Sequence, residues 1–226
     1  MSAYQVLTAV GVIAFAYLLG SLNFAVIMSR IFTGEDVRKS GSGNAGATNV
    51  LRTVGKLPAI LTFLFDILKG FGACLAGKLV FGYLINNVEQ GFNWLFHPDY
   101  GAYICCIAVM LGHIYPIFFG FKGGKAVATS VGTFAVCCPL AIILGLTAFI
   151  VSLIISKIVS LSSLIATVVV IGVAIVYAIV VNFAYYNIIP VIIMALMAGV
   201  IVFAKHTANI KRLIEGTEPT ISAKKR

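Results

Sequence analysis

The sequence predicts an all-α, polytopic bundle of membrane-spanning helices. Of the 226 residues, 61% are hydrophobic and only 10% are charged, and the mean hydropathy is +1.07. Soluble domains carry about 25% charged residues, so a water-soluble globular fold is excluded. A spanning helix needs about 20 apolar residues, which leaves room for about six to eight crossings. We expect residues 1–226 to form a single membrane-embedded domain.

Long apolar stretches predict where the helices lie. Uncharged runs cover residues 2–29, 100–121, 126–156 and 159–204, the last interrupted only by turn-like residues near Asn187 and Pro190. The first run lacks the basic segment of a signal peptide, so we predict that it is the first spanning helix.

The segment 57–85 predicts a further helix, with Pro58 in its first turn. Asp66 and Lys69 interrupt its apolar character and lie three residues apart, which places them on one helix face. Because an ionisable pair is costly in lipid, we expect both to face the bundle interior and each other. A structural and a catalytic role both remain open for this pair.

The distribution of Lys and Arg predicts the orientation. Basic residues concentrate in residues 30–56, in residues 120–125 and in the tail from 205 onward, whereas residues 86–99 contain none. By the positive-inside rule, the basic segments are cytoplasmic and residues 86–99 are external. The N-terminus is then external as well.

The number of crossings follows from the same rule. If residues 126–156 formed one helix, the basic tail would lie outside, against the charge bias. A break at Pro139 repairs this and yields two short helices of about 23 Å each at 1.5 Å per residue. We therefore predict seven transmembrane helices, an external N-terminus and a cytoplasmic C-terminus.

Charge and cysteine content exclude other classes of protein. The net charge of +9 is explained by basic cytoplasmic loops, so no nucleic-acid partner is expected. None of the five cysteines shows CxxC or Cys/His spacing, so the sequence predicts neither a disulfide framework nor a metal site.

Motif 1, residues 36–56, is rich in Gly, Ser, Asn and Thr. Its glycines allow the backbone to turn and its N–H groups to surround an anion. Hydroxyl and amide side chains supply further donors, and Arg52 supplies a planar cation suited to phosphate. Taken alone, a phosphate site and a plain flexible loop remain equally open. The candidate side-chain donors are Ser42, Asn44, Thr48 and Asn49.

Motif 2, residues 112–130, places Lys122 and Lys125 around a Gly123-Gly124 turn that leads into an apolar helix. Such lysines reach an anion at the membrane surface or simply snorkel as anchors, and the motif alone favours anchoring. We interpret His113, within the apolar run, as a core histidine.

Motif 3, residues 205–218, follows the last crossing. If it is helical, His206 and Asn209 share a face. Anionic lipid explains Lys211 and Arg212 but not the imidazole and the carboxamide. The predicted topology places all three motifs on one membrane face, where they offer a cation-rich pocket for a phosphorylated substrate that meets an acyl chain.

The three motifs resemble the signature motifs of a known family. GSGNAGATNVLR, GHIYPIFFGFKGGKAVAT and HTANIKRL are similar to those of the bacterial acyl-phosphate:glycerol-3-phosphate acyltransferases, the PlsY family, and the resemblance covers nearly the whole chain. It implies a seven-helix enzyme of the bacterial cytoplasmic (inner) membrane with a cytoplasmic active site. The implied reaction moves an acyl group from acyl phosphate to the 1-hydroxyl of sn-glycerol 3-phosphate, giving lysophosphatidate and phosphate. No cofactor is expected, and a separate enzyme that produces acyl phosphate is an expected functional partner.

The resemblance also implies roles for individual residues. Ser42, Arg52, Lys125, His206 and Asn209 match the family's active-site residues. The expected substrate-binding set is Asn44, Gly46, Thr48, Asn49, Gly123, Gly124 and Ser163, although VSLSS also offers Ser160 and Ser162. The proton acceptor is His206 or a phosphate oxygen of the donor, and we favour the phosphate. Ala126 departs from the family pattern, which has glycine after GGK.

One other class of function also explains cations, glycines and broken helices, namely a transporter or exchanger of a phosphorylated metabolite. Against it, residues 86–99 have no Lys or Arg to attract anions, and no inverted repeat is apparent. A membrane scaffold would leave the three polar motifs unexplained.

Overall fold

The computed structural model describes residues 3–85, 97–181 and 188–221. Within these ranges the chain forms ten α-helices and two short 3₁₀ helices, and no β-strand. The chain divides into two compact units, Met1–Cys137 and Cys138–Arg226. The all-helical class is confirmed for the described residues, whereas a single domain stays a prediction.

The described part of the first unit contains six α-helices. They are α1 (Ala3–Gly20), α2 (Phe24–Thr33), α3 (Ala47–Thr53), α4 (Lys56–Ile85), α5 (Pro98–Ile114) and α6 (Val127–Cys137), with 3₁₀ turns at Val37–Lys39 and Ile117–Phe119. Helix α4 is central because it packs against α1, α5 and α6. Pro58 is its third residue, so the prediction for its first turn is confirmed.

The first apolar run is not one continuous helix. Helix α1 ends at Gly20, and the chain restarts at α2, where the Asn23 side chain accepts a hydrogen bond from the Val26 N–H at 3.2 Å. An Asn at this position satisfies a backbone donor that the helix itself leaves unpaired. The first run is a candidate membrane span over Ala3–Thr33, as predicted, but its helix is broken at residues 21–23.

Small residues set the helix spacing in this unit. A side chain on Gly77 of α4 would overlap the Gly101 carbonyl of α5, and one on Gly132 of α6 would overlap the Ile67 carbonyl of α4. Glycine at these positions lets the helix backbones touch, which maximises van der Waals contact where lipid offers no hydrophobic driving force.

In the second unit, residues 138–181 and 188–221 form four α-helices: α7 (Pro139–Ser156), α8 (Val159–Val181), α9 (Ile188–Lys205) and α10 (Thr207–Ile214). Consecutive helices α7, α8 and α9 pack side by side. Helix α7 ends at Ser156, and the next residue, Lys157, has a left-handed backbone (φ 58°), so the chain turns into α8 within two residues.

Among the residues that the structure describes, six helical segments are long and apolar enough to cross a membrane: Ala3–Thr33, Lys56–Ile85, Pro98–Phe119, Pro139–Ser156, Val159–Val180 and Ile188–Lys205. The predicted break at Pro139 is confirmed, but the two helices are unequal. Helix α6 has 11 residues and α7 has 18, or about 16 Å and about 27 Å at 1.5 Å per residue. Seven crossings and the orientation stay predictions, and most of the expected external segment 86–99 lies outside the described residues.

Candidate active site

Motif 1 is a loop folded around the side chain of Asn49. The Asn49 oxygen accepts the Ser42 N–H at 2.9 Å, and its amide nitrogen donates to the Val37 and Ser40 carbonyls, both at 3.0 Å. The side chain is only 2% exposed. Both amide hydrogens are therefore used inside the loop, and Asn49 shapes the loop from within. Its predicted contact with substrate stays a prediction.

The remaining predicted groups of motif 1 lie nearer the surface. Ser42 and Arg52 are exposed, and Asn44, Gly46 and Thr48 are half-buried. The turn that presents them needs glycine at Gly41 and Gly43, whose φ angles are 63° and 71°. Val37, Ala45 and Val50 form an apolar cluster beneath them with residues of α2 and α4. The apolar cluster thus anchors the loop, while Ser42 and Arg52 stay accessible to solvent.

Motif 2 folds back onto the end of α5. The Gly123 N–H donates to the Ile114 carbonyl at 3.1 Å, and the Gly124 N–H donates to the His113 carbonyl at 3.2 Å. A side chain on Gly123 would overlap the His113 carbonyl, and one on Gly124 would overlap His113 Nε2. The glycines predicted to approach a ligand are thus also required by packing on α5, and their ligand contact stays a prediction.

Ala126 holds the backbone conformation that glycine adopts most readily. Its φ angle is 61°, it is 1% exposed, and it lies between Lys125 and the start of α6. A left-handed conformation costs an L-residue about 1–2 kcal/mol. The departure from the family pattern at this position therefore leaves the turn in place at a cost in backbone strain.

Arg38 joins motif 1 to motif 2. Its Nη1 donates to the carbonyls of Phe119 at 2.7 Å and Lys122 at 3.0 Å, and its other edge binds the carboxylate of Asp36. The hydrogen bond from Arg38 holds the pKa of Asp36 well below its ordinary value, and the same contact raises the pKa of Arg38. Sequence reasoning assigned Arg38 only to the basic cytoplasmic loop and gave Asp36 no role.

A cluster of ionisable side chains is buried between α4 and α5. Lys69 Nζ lies 2.7 Å from Asp66 Oδ1, with the two side chains 1% and 2% exposed, so the predicted pairing is confirmed. Lys69 also donates to the Leu22 carbonyl at 2.8 Å. His113 is buried, as predicted, with Nδ1 3.5 Å from Asp66 Oδ1. The cluster links α4 to the α1–α2 junction and to the α5 turn that supports motif 2.

In the second unit, motif 3 begins at the end of α9. His206 precedes α10 and is 2% exposed, and its Nδ1 lies 2.8 Å from the Val202 carbonyl. Because a carbonyl oxygen only accepts hydrogen bonds, Nδ1 carries the proton in this contact. The bond fixes the orientation of the imidazole ring.

The Glu218 carboxylate accepts hydrogen bonds from three side chains of this unit. Its Oε1 accepts from Asn209 Nδ2 at 2.5 Å and from the Ser160 hydroxyl at 2.6 Å, and its Oε2 accepts from Arg212 Nε at 2.6 Å. Burial alone would raise the pKa of Glu218, but the donors from Ser160, Asn209 and Arg212 outweigh it and lower that pKa. Sequence reasoning quoted Glu218 as the end of motif 3 and gave it no role.

The same contacts distinguish the three candidate serines. Ser162 and Ser163 donate to carbonyls of their own helix turn, at Ile158 and Val159, whereas Ser160 reaches Glu218. The structure thus connects Ser160 to Asn209, and the predicted binding role of Ser163 stays a prediction. Motifs 1 and 2 belong to one compact unit and motif 3 to the other, so their convergence on one pocket also stays a prediction.

Comparison with known proteins supplies the family. The family model described as glycerol-3-phosphate acyltransferase matches residues 10–216. Glycerol-3-phosphate acyltransferase 2 of Bacillus anthracis is 37% identical over 209 residues, which is 91% of this chain and 95% of the relative.

Two solved structures resemble the chain along most of its length. Both are crystal structures of PlsY (YgiH), an integral membrane glycerol 3-phosphate acyltransferase. The glycerol 3-phosphate form has a TM-score of 0.77 at 34% identity, and the lysophosphatidic acid form has a TM-score of 0.74 at 33% identity. Each alignment covers 94% of both chains. Sequence, motifs and fold therefore agree that this chain belongs to the glycerol-3-phosphate acyltransferase family.

Proposed function

We propose that this integral membrane acyltransferase moves a fatty acyl group from acyl phosphate to the 1-hydroxyl of sn-glycerol 3-phosphate. The products are 1-acyl-glycerol 3-phosphate and inorganic phosphate. The observation that carries the proposal is the junction of motifs 1 and 2, where Arg38 holds a glycine-rich loop against the turn that precedes Lys125. In the proposed scheme, the two loops that meet at this junction supply the donors for the two phosphate groups.

The proposed reaction is a direct displacement. The 1-hydroxyl oxygen bonds to the acyl carbonyl carbon, and the bond from that carbon to the phosphate oxygen breaks. The departing phosphate keeps the electron pair, and one of its oxygens takes the hydroxyl proton. Since acyl phosphate is already an activated anhydride, the protein contributes alignment and charge stabilisation rather than a covalent intermediate.

Each motif receives a role in this scheme. Arg52 and Lys125 bind the phosphate of glycerol 3-phosphate, because exposed and half-buried cations suit an anion that arrives from water. The loop from Ser42 to Thr48 binds the donor phosphate. His206 and Asn209 orient the acceptor hydroxyl. The other groups proposed to contact substrate are Asn44, Gly46, Asn49, Gly123, Gly124 and Ser163.

The proposal includes a cellular setting. The family match spans both compact units, which supports one functional domain over residues 1–226. Counting the short helix α6 gives seven crossings, an external N-terminus and a cytoplasmic C-terminus in the inner membrane. The active site then faces the cytoplasm, where glycerol 3-phosphate and an enzyme that makes acyl phosphate are accessible.

The test is an assay of purified protein in lipid with labelled glycerol 3-phosphate and either acyl phosphate or acyl-CoA. We expect lysophosphatidate with acyl phosphate alone. Arg52→Ala should abolish it, and Lys39→Ala, which removes another exposed cation of motif 1, should retain it. Product from acyl-CoA alone would overturn the donor assignment. If folded protein makes no product but proteoliposomes take up glycerol 3-phosphate, the result favours the alternative hypothesis of a transporter over the proposed acyl transfer.

A further inference from the structure

Asp36 and Arg38 form a rigid unit at the start of motif 1. The Arg38 guanidinium donates from Nε to Asp36 Oδ1 at 2.9 Å and from Nη2 to Oδ2 at 2.8 Å, and the Arg38 backbone N–H donates to Oδ1 at 3.0 Å. Two parallel N–H···O bonds fix the plane of a guanidinium against its carboxylate. The Arg38 side chain is 23% exposed and the Asp36 side chain is 10% exposed, so the pair is largely shielded from water.

The third nitrogen of the guanidinium reaches across to motif 2. Nη1 donates to the carbonyls of Phe119 and Lys122, which lie 81 and 84 residues along the chain. These carbonyls flank Gly120 and Phe121, whose φ angles are 66° and 57°. Arg38 satisfies both of these carbonyls at once.

We propose that Arg38 is a positioning residue that sets the distance between the two substrate-binding loops. This inference rests on the proposed function, in which the loop from Ser42 to Thr48 of motif 1 binds the donor phosphate, and Lys125 of motif 2 binds the acceptor phosphate together with Arg52. The reacting atoms then meet only if the loops keep a fixed separation. Arg38 touches neither substrate in this scheme and acts through the backbone of residues 119–122.

Lysine cannot replace arginine in this arrangement. The guanidinium presents five N–H donors in a rigid plane, with one edge on Asp36 and another on the two carbonyls. A lysine ammonium places its three donors on one atom, so it binds the carboxylate or the carbonyls but not both with this geometry. Arg38→Lys therefore keeps the charge and removes the bridge.

The matched control is Arg30→Lys. Arg30 also donates to Asp36 Oδ2, at 3.0 Å, but its side chain is 56% exposed. The two variants make the same chemical change beside the same carboxylate. They differ in the contact with residues 119–122, which the structure gives to Arg38.

The first readout is hydrogen exchange of peptides covering residues 117–126, which needs no substrate. We expect Arg38→Lys to speed exchange there by about tenfold or more, because freed turn carbonyls let the loop open. Arg30→Lys should match the wild type. Asp36→Asn, which leaves the guanidinium but loosens its orientation, should give an intermediate rate. Equal exchange in the Arg38 and Arg30 variants would overturn the proposal.

The second readout is kinetic. A residue that aligns two separately bound substrates should lower kcat by about 10- to 100-fold. We expect Arg38→Lys to show this loss with both KM values within about threefold of wild type. A loss of activity that only tracks the amount of folded protein would mean a purely structural role. If the wild type itself forms no product, the proposed function fails. The exchange result still shows whether Arg38 holds residues 119–122 in place.

Discussion

The carboxylate of Glu218 is expected to hold motif 3 together, and Glu218→Gln tests this directly. Three donors surround the carboxylate, from Ser160, Asn209 and Arg212. A glutamine would place its NH₂ group against one of these donors and remove the negative charge. The Glu218 side chain is 6% exposed, so water does not easily replace the lost bonds.

The magnitude follows from the buried contacts. A hydrogen bond to a charged group contributes about 1.5–3 kcal/mol. The Arg212 side chain is 39% exposed, and we count its contact as a weak surface ion pair. A glutamine whose oxygen takes the Oε1 position keeps the bonds from Ser160 and Asn209 as neutral bonds of about 1 kcal/mol each, so the loss is about 2 kcal/mol, which corresponds to about 30-fold faster local opening.

Hydrogen exchange of the α10 backbone measures this opening. We expect Glu218→Gln to raise exchange of the α10 amides by about 30-fold and to lower acyltransfer because Asn209 is held less firmly. The matched control is Glu215→Gln, because Glu215 is 48% exposed and lies 3.9 Å from Lys211, so its loss should change exchange by less than about threefold. A Glu218 variant that exchanges like the Glu215 variant would refute the reasoning.

The same carboxylate gives a pH dependence with a definite sign. The pKa of Glu218 is lowered from its ordinary value of 4.5 in the folded protein. A group with a depressed pKa stabilises the fold above its unfolded value and loses that contribution as pH falls through the folded value. Protection of α10 should therefore be constant above about pH 5.5 and fall below pH 4.5 in the wild type. Glu218→Gln should remove this acidic transition.

Two further predictions concern the first unit. Lys69→Met should destabilise the protein by about 3–5 kcal/mol, because it leaves the Asp66 carboxylate buried without its cation. The double variant with Asp66→Asn should recover most of the lost thermal stability in detergent, and a single variant that melts like wild type would contradict the buried pair. Ala126→Val should cost at least about 2 kcal/mol, since a β-branched side chain fits the left-handed backbone poorly, whereas Ala126→Gly should stay within about 1 kcal/mol of wild type. Thermal unfolding of both Ala126 variants checks this, and equal melting temperatures would contradict it.

Some of the structure was predictable because it depends on local spacing. Asp66 and Lys69 are three residues apart on a helix, so their pairing follows from helical geometry alone. Pro139 lacks an N–H and marks the start of a new helix, as the structure confirms. The interruption at residues 21–23 was missed, although Gly20 followed by Asn23 is a signal that could have indicated it.

The site was predictable only as a set of residue types. Arg52 and Lys125 were singled out because cations beside glycines suit phosphate, and the structure leaves Arg52 exposed and Lys125 half-buried. Asn49 was singled out on the same chemistry, yet its amide serves the loop itself. Composition and spacing identify a donor, but the direction in which the donor points depends on the packing around it.

The sequence by itself determined that the protein crosses the membrane, where most helices lie and which family it belongs to, because hydropathy, helix periodicity and motif order are properties of the chain. Only the tertiary structure decided that Arg38 bridges to carbonyls more than 80 residues away and that Glu218 binds Ser160 across 58 residues. Helix or strand periodicity in the sequence predicts neither contact. Each forms because the folded chain brings a partly buried charge within hydrogen-bond distance of groups that are remote in sequence.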